Sequence, residues 1–204
     1  MDDILLAAAA NLARRGFAVE TIETAEEARA WLMEQIPDGA SIGCGGSVTV
    51  RELGICEAKK AAGSPIYWHW MPDGTDNRTI FLHALDADFY LSSVNALTVG
   101  GQIVNIDATG NRLGALAWGP KKVILIVGKN KLVEGGVPQA IARIKAEACP
   151  KNAVRLQRDT ACAKLGRCNM AECANPMCRV TEVLEMPPHG HEITVLLVNE
   201  NMGY

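Results

Sequence analysis

A glycine-rich stretch at residues 41–54, SIGCGGSVTVRELG, has residue types that suit anion binding. Glycines let the backbone approach an anion closely, and nearby hydroxyl groups can donate hydrogen bonds to it. The stretch is not a P-loop, because no lysine follows the glycines, and Val48 stands where a dinucleotide-binding fingerprint has its third glycine. It therefore predicts a site for phosphate, carboxylate or pyrophosphate without a nucleotide signature. The alternative is that the adjacent glycines only make a tight turn. The predicted ligand-binding residues of this loop are Gly43, Gly45, Gly46, Ser47 and Thr49.

A second polar segment, SSVNALTVGGQIVNIDATGNR at residues 92–112, is rich in amides and hydroxyls around predicted strand ends. Buried polar side chains need hydrogen-bond partners, and strand alternation places Asn105 and Asp107 on the same side. The segment predicts a substrate-binding surface. The alternative is a hydrogen-bonded loop with a helix cap at Thr109 or Asn111. The predicted ligand-binding residues are Asn95, Asn105, Asp107, Thr109, Gly110, Asn111 and Arg112.

Two carboxylates, Glu52 and Asp107, lie near both polar segments and are the candidates for acid–base catalysis. Glu52 equally fits a helix cap with Thr49. No histidine has a local partner motif, so a Ser-His-Asp arrangement is not indicated. His69, in the aromatic stretch YWHW, fits either a packed or a substrate-facing role.

Four cysteines cluster near the carboxyl terminus, separated by five, four and four residues. Thiolates ligate zinc and iron–sulfur clusters, although no C-x-x-C pair is present and the spacing matches neither standard pattern. Three interpretations remain open: a bound iron–sulfur cluster or zinc, redox-active or disulfide-forming thiols, or no chemical role. The candidate metal ligands are Cys162, Cys168, Cys173 and Cys178.

The elements that must position these groups alternate between helices and short apolar strands. This alternation predicts one three-layer α/β domain over residues 1–204, with a mostly parallel sheet covered on both faces. In such sheets ligands bind beyond the carboxyl ends of the strands, where both polar segments are expected. Thr24 and Glu27 form a capping box for one helix. Predicted helices cover residues 2–15, 25–36, 49–62, 110–119 and 137–148, and predicted strands cover 17–22, 40–44, 87–93 and 121–128.

The remaining segments are assigned by their turn and loop residues. Residues 97–107 predict a β-hairpin about a Gly-Gly turn, and residues 180–186 and 192–199 predict a final strand pair. Residues 71–79 and 155–178 are predicted loops, the second containing most of the cysteine-rich segment at residues 160–180.

Composition limits the classes of partner. The chain has 49% hydrophobic and 21% charged residues, with 20 Lys and Arg against 23 Asp and Glu, typical of a soluble globular protein. No basic block is present, so we expect no nucleic-acid partner. The amino-terminal charge order is the reverse of a signal peptide's, and the longest later apolar run is too short to span a bilayer. We therefore expect a cytoplasmic protein with reduced cysteines and no membrane association.

Several of these stretches together resemble the LUD-domain family, which includes the lactate-utilization protein C group. They are SIGCGGSVTVRELG, VNALTVGGQIVNIDATGNRLGALAWGPKKVILIVGKNKLV, the cysteine-rich segment and ITVLLVNENMGY. The resemblance covers nearly the whole chain, and VNIDATGNR and GPKKVILIVGKNK are its most specific parts. YWHWMPDGTDNRT departs from the usual family pattern. The resemblance implies the fold shared by ribose-5-phosphate isomerases, glucosamine-6-phosphate deaminases and CoA transferases, and a link to oxidation of lactate to pyruvate.

We expect a component of an organic-acid utilization system that binds a small anionic metabolite, with lactate as the first candidate. The binding site is expected between the glycine loop and residues 105–112. One alternative is an enzyme acting on a sugar phosphate or CoA ester, although a fold does not fix a function. Another is an electron-transfer adaptor whose cysteines dock with an iron–sulfur partner subunit.

Overall fold

The structure, a computed structural model, describes residues 1–71 and 73–204. Its strands form a six-stranded sheet of order β1-β10-β7-β4-β2-β3 and a four-stranded sheet of order β8-β5-β6-β9. The strands are β1 (Ala18–Ile22), β2 (Ile42–Cys44), β3 (Ile66–Tyr67), β4 (Phe89–Ser92), β5 (Ala96–Thr98), β6 (Ile103–Asp107), β7 (Lys122–Gly128), β8 (Leu132–Val133), β9 (Val180–Leu184) and β10 (Glu192–Val198).

The α-helices cover the sheets and supply most of the connections. They are α1 (Asp3–Arg14), α2 (Ala25–Gln35), α3 (Val48–Glu52), α4 (Ile55–Ala61), α5 (Asn77–Leu85), α6 (Asn111–Ala117), α7 (Val137–Arg143), α8 (Cys149–Arg155) and α9 (Ala161–Leu165). A π-helical stretch at Ile144–Ala148 joins α7 to α8, and short 3-10 helices lie at Lys129–Lys131 and Met170–Glu172.

The central sheet is parallel at every described pairing, and its middle strands β7 and β10 are apolar along most of their length. Such strands are buried on both faces, so alternate side chains enter different cores. Leu125 packs in one core with Leu5 and Leu12 of α1, whereas Ile126 packs in the other with Leu32 of α2. These layers confirm the predicted three-layer α/β fold.

The four-stranded sheet contains the predicted hairpin, in which β5 and β6 pair antiparallel. One face contacts α7 and the π-helical stretch that follows it, where Val104 packs with Ala140 and Ile144. The other face contributes Ile103 to the core that holds Leu125. This second sheet therefore joins the carboxyl-terminal helices to the central sheet.

The predicted final strand pair is wrong. β9 lies beside β6 in the four-stranded sheet, whereas β10 lies between β1 and β7 in the central sheet. The reason is burial: Val195, Leu196 and Leu197 are fully buried and match the centre of a parallel sheet, whereas β9 is exposed along much of its length. The two strands are neighbours in the sequence but join different sheets, because β10 is buried and β9 is largely exposed.

The predicted helix over residues 49–62 is broken. It ends as α3 at Glu52 and restarts as α4, with Gly54 in the left-handed conformation at φ 60°. Ser47, not Thr49, caps α3, since its hydroxyl accepts from Val50 N at 3.2 Å. The interpretation of Glu52 as a capping partner of Thr49 is therefore wrong. By contrast, the capping box of Thr24 in α2 is confirmed.

Two predicted loops contain helices. α5 occupies the end of the loop predicted over residues 71–79, of which Pro72 lies outside the described residues. Asp76 caps α5, its side chain accepting from Thr79 N at 3.1 Å. α9 lies within the loop predicted over residues 155–178. Within the described residues, no helix combines the length and apolarity needed to cross a membrane.

Candidate functional site

A cavity of about 190 Å³ lies beyond the carboxyl ends of the central strands. β2, β4 and β7 end at Cys44, Ser92 and Gly128, and the segments that follow them converge there. Parallel strands bring these ends to one edge of a sheet, which is the usual place for a ligand in open α/β folds.

Most of the sequence-predicted ligand-binding residues line this cavity, and the glycine loop and the second polar segment both contribute. Those lining it are Gly46, Ser47, Thr49, Asn95, Asp107, Thr109, Asn111 and Arg112. Gly43, Gly45, Asn105 and Gly110 lie outside the lining, as does Glu52, whose carboxylate accepts from Gly203 N at 2.8 Å. Ligand binding at all of these residues stays a prediction.

Two loop glycines are required by packing. A Cβ on Gly43 would lie 2.5 Å from the carbonyl oxygen of Ala84, so β2 and α5 can approach only because this residue is glycine. A Cβ on Gly45 would lie 2.8 Å from the Tyr90 hydroxyl. Gly46, in contrast, faces the cavity wall formed by Trp70, 3.3 Å from the position of its absent Cβ.

Asp107 is held by Arg112. Its Oδ1 accepts from Arg112 Nε at 3.0 Å and Nη2 at 2.6 Å, and its Oδ2 accepts from the backbone N–H groups of Arg112 and Leu113. Both side chains of the ion pair are only 9% exposed. The Asp107 carboxylate thereby accepts hydrogen bonds from two backbone N–H groups in the first turn of α6. The N-cap residue of α6 is Gly110, and neither Thr109 nor Asn111 supplies a side-chain cap.

Asn95 and Asn105 connect the strands of the hairpin. Asn105 Oδ1 accepts from Asn95 N at 3.0 Å, and Asn95 Oδ1 accepts from Ile106 N at 2.9 Å and from Arg112 Nη2 at 2.7 Å. Asn105 is fully buried opposite Glu182 of β9. Burial raises the pKa of Glu182 to about 7, against the opposing effects of the Asn105 amide and Arg112. Asn105 therefore does not line the cavity itself, but it accepts a hydrogen bond from Asn95, which does.

Lys131 is a functional candidate that the sequence analysis missed. It lines the cavity although its residue is only 3% exposed, and its Nζ donates to Thr49 Oγ1 at 2.8 Å and to Ser93 Oγ at 2.7 Å. The signal was its position: it follows the buried strand β7 as the two polar segments follow theirs, within the GPKKVILIVGKNK stretch. The strand-end rule applied to β7 would have found it.

The charge state of Lys131 is perturbed. Burial is the largest cause, and the guanidinium groups of Arg143 and Arg112 add to it, lowering the pKa of Lys131 from 10.5 to about 7. The Glu52 carboxylate opposes part of this fall. Charged and neutral forms of this amine therefore coexist near neutral pH.

An aromatic and cationic wall closes another side of the cavity. The Arg155 guanidinium lies 4.4 Å from the centroid of the Trp70 ring, and its Nε donates to the Tyr204 hydroxyl at 2.8 Å. His69 also lines the cavity. Burial and the charge of Arg155 lower the pKa of His69.

The cysteines of the carboxyl-terminal segment are half-buried, and Cys149, which the sequence analysis did not single out, lies with them. A hydrogen bond with the Cys149 thiol lowers the pKa of Cys178 to about 6, and the same interaction raises the pKa of Cys149. The thiols of Cys162 and Cys168 add to the rise at Cys149. In residues 1–71 and 73–204, no group of three or more His, Cys, Asp or Glu side chains is arranged to hold a metal ion.

The predicted iron–sulfur or zinc site at the four cysteines stays a prediction. Cys149, at the start of α8, lines the cavity, so the cysteines of this segment adjoin the candidate site through Cys149. The structure thus pairs Cys178 with a cysteine outside the predicted set of ligands.

The fold and cavity define a three-layer α/β protein with a cavity at the edge of a parallel sheet, whose lining is part polar and part apolar and whose charged side chains are mostly cationic. The model of the LUD-domain family matches residues 6–198, and the chain belongs to that family. Membership implies an involvement in lactate utilization in general terms.

A solved structure supports the fold independently. The chain is similar to the crystal structure of a DUF162 family protein from Deinococcus radiodurans at 1.70 Å resolution, with a TM-score of 0.55 and 13% sequence identity over 97% of both chains. At this identity the similarity shows the fold alone. The comparison with curated proteins found no match.

Proposed function

We propose that the protein binds a small organic acid in the cavity described above, as a component of a system that oxidises lactate to pyruvate. The observation that carries this proposal is the buried amine of Lys131. Its hydrogen-bond partners among the described residues are two hydroxyl groups, and no carboxylate lies within ion-pair distance of it there. A buried cation without a paired anion is unfavourable, and a bound carboxylate would compensate its charge.

The charges around the cavity favour an anion. The charged residues lining it are Lys131, Arg112, Arg155 and Asp107. Asp107 is neutralised by Arg112, so the remaining charge is positive. Complementary charge of this kind raises the local concentration of an anionic ligand.

The size of the cavity favours a small ligand. Its volume of about 190 Å³ lies below the range of about 300–1,000 Å³ typical of sites for drug-sized molecules. This supports a short-chain acid over the alternative of a CoA ester. The alternative of a sugar phosphate is distinguished by including phosphate among the ligands tested.

Calorimetry on the purified protein tests the proposal, with lactate, pyruvate and inorganic phosphate titrated separately. We expect lactate or pyruvate to bind and to raise the melting temperature, since a ligand that binds the folded state stabilises it. Lys131→Met should lose the binding. Lys129→Met is the matched control, because Lys129 lies in the same loop but pairs with Asp2 at the surface.

Binding of phosphate alone would favour the sugar-phosphate enzyme. Retention of lactate and pyruvate binding by Lys131→Met would contradict the role of the buried amine.

A second candidate function, the electron-transfer adaptor, is supported by two observations: the thiols of Cys149 and Cys178 shift each other's pKa, and Cys149 lines the cavity. In this function a cluster held by the cysteines docks with an iron–sulfur partner subunit. Anaerobically purified protein should then be coloured and contain iron, and Cys178→Ser should remove both. Colourless, metal-free protein would contradict the adaptor.

A further inference from the structure

The amine of Lys131 has a hydrogen-bonding arrangement that simple anion binding does not require. The Thr49 hydroxyl donates to Met202 O at 3.4 Å, and the Ser93 hydroxyl donates to Ile126 O at 2.5 Å. Because both hydroxyl hydrogens are used in this way, both oxygens accept from Lys131 Nζ.

Two accepted hydrogen bonds match a neutral amine, which has two N–H donors and one lone pair. The two hydroxyl oxygens take both donors, and the lone pair is left over for chemistry. A charged ammonium would have a third donor instead, which an anion could accept. The site can therefore hold Lys131 as a nucleophile in one protonation state and as an anion-binding group in the other.

We propose that Lys131 Nζ forms an imine with the ketone carbon of a 2-oxo acid bound in this cavity, a step that rests on the proposed binding of a small organic acid. The lone pair attacks the carbonyl carbon, and one proton of the attacking nitrogen moves to the carbonyl oxygen to give a carbinolamine. Loss of that oxygen as water, with the nitrogen proton, leaves the C=N bond. Atoms and charge balance without an oxidant or reductant.

The surroundings support this assignment. Lysines become nucleophiles when they are desolvated or placed beside another cation, and Lys131 is buried with Arg112 and Arg143 nearby. A 2-oxo acid carries its carboxylate next to the reacting carbon, so the cationic lining can hold one group while the amine meets the other. The competing nucleophile at the cavity is Cys149, whose pKa is raised by its hydrogen bond to Cys178 and by burial, so it stays a protonated thiol.

Reductive trapping tests the imine. The full-length protein is incubated with pyruvate and sodium cyanoborohydride, and the product is examined by intact mass and peptide mapping. We expect one reduced pyruvyl group per chain, located on Lys131. Lactate, which lacks the ketone, should give no adduct.

Variants make the test specific. Lys131→Met and Lys131→Arg should both lose the adduct, the second because a guanidinium does not form this imine, whereas Lys129→Met should keep it. If Lys131→Met fails to fold, peptide mapping of the unsubstituted protein still locates the adduct. An adduct located on another residue would overturn the proposal.

Calorimetry in parallel separates the two proposals. Pyruvate binding without an adduct overturns the imine alone and leaves the proposed function standing. Absence of binding by both lactate and pyruvate overturns both.

Discussion

Lys131 Nζ lies 2.8 Å from Thr49 Oγ1, and this contact joins the loop after β7 to the loop after β2. The two residues are 82 positions apart, and both are buried. The hydrogen bond fixes the amine at the edge of the sheet, where the cavity opens.

The stability of the protein should depend on pH through Lys131. Its pKa of about 7 in the folded state lies below 10.5, so between these values the unfolded chain holds a proton that the folded protein has lost. Stability should therefore rise with pH across this window, by up to about 1.4 kcal/mol per pH unit. Lys131→Met should be the more stable protein at pH 6 and lose this slope. Urea denaturation at pH 6, 8 and 10 measures the difference.

Lys129→Met is the control for that series, because Lys129 is partly exposed in an ion pair with Asp2. Its stability relative to the unsubstituted protein should vary little with pH. A constant difference between the unsubstituted protein and Lys131→Met at all three pH values would show that Lys131 is not perturbed.

Glu182 should make the stability of the protein fall as pH rises, and at lower pH than the rise expected from Lys131. Its pKa of about 7 in the folded state exceeds 4.5, so between these values the folded protein holds the extra proton and loses stability as pH rises. Glu182→Gln should therefore gain stability relative to the unsubstituted protein from pH 5 to pH 8. The exposed Glu134→Gln is the control, and denaturation midpoints at the two pH values give the answer. A gain of the same size in Glu134→Gln would contradict the assignment.

The ion pair of Asp107 with Arg112 should be important for stability. Removing one partner of a buried pair costs about 3–5 kcal/mol because the other charge is left uncompensated. Asp107→Asn should lose stability on this scale. The control is Asp159→Asn, whose ion pair with Lys164 is exposed and should contribute less than about 1 kcal/mol. Equal, small losses in both variants would mean that Asp107 is free for another role.

Substitution of two glycines of the loop should have different effects, on stability at Gly43 and on ligand binding at Gly46. Gly43→Ala should lose about 1–3 kcal/mol, since its methyl group would overlap the backbone of Ala84. Gly46→Ala should fold nearly as well but weaken ligand binding, because its methyl group points at Trp70 in the cavity wall. Thermal unfolding and lactate calorimetry measure the two effects.

Gly114→Ala is the control for the glycine pair. Gly114 lies within α6 with open space around its absent side chain, so alanine should stabilise the helix by about 0.5–1 kcal/mol. If Gly43→Ala behaved like this control, the close packing of β2 on α5 would be contradicted.

Cys178 should be the most reactive thiol of its segment near pH 7. Its pKa of about 6 leaves it mostly as thiolate, whereas the pKa of Cys149 is raised. Alkylation by iodoacetamide, followed by peptide mass mapping, should label Cys178 first at pH 7. Cys149→Ser should slow this labelling more than Cys173→Ser does. Uniform labelling of all the cysteines would show that the pair does not interact.

The hydrophobic pattern of the sequence predicted the fold well where the pattern is local. The apolar run of β7 indicated a strand buried on both faces, and the capping box at Thr24 marked the start of α2. The Gly-Gly turn indicated the hairpin of β5 and β6. Each signal lies within a few residues of the element that it specifies, so one sequence is enough to recognise it.

The polar side chains of the site were partly predictable for the same reason. Ser47, Asn95 and Arg112 follow apolar strands, and ligands in such folds bind at strand ends. The sequence therefore predicted that these residues lie near one site, and all three line the cavity. Lys131 stands just beyond the end of β7, where the same rule indicates it, whereas the sequence around Cys149 carries no such signal. Their burial and their partners come from segments far away in the chain.

The amino-acid sequence by itself determined the fold class, most elements and the two polar segments, since these depend on local hydrophobic periodicity, capping and turn residues. Only the tertiary structure decided that β9 and β10 separate into different sheets and that Lys131 meets Thr49 and Ser93. Strand order and side-chain burial depend on which surfaces pack across long separations in the chain. The altered pKa of Lys131 is a consequence of that packing, because burial is its largest cause.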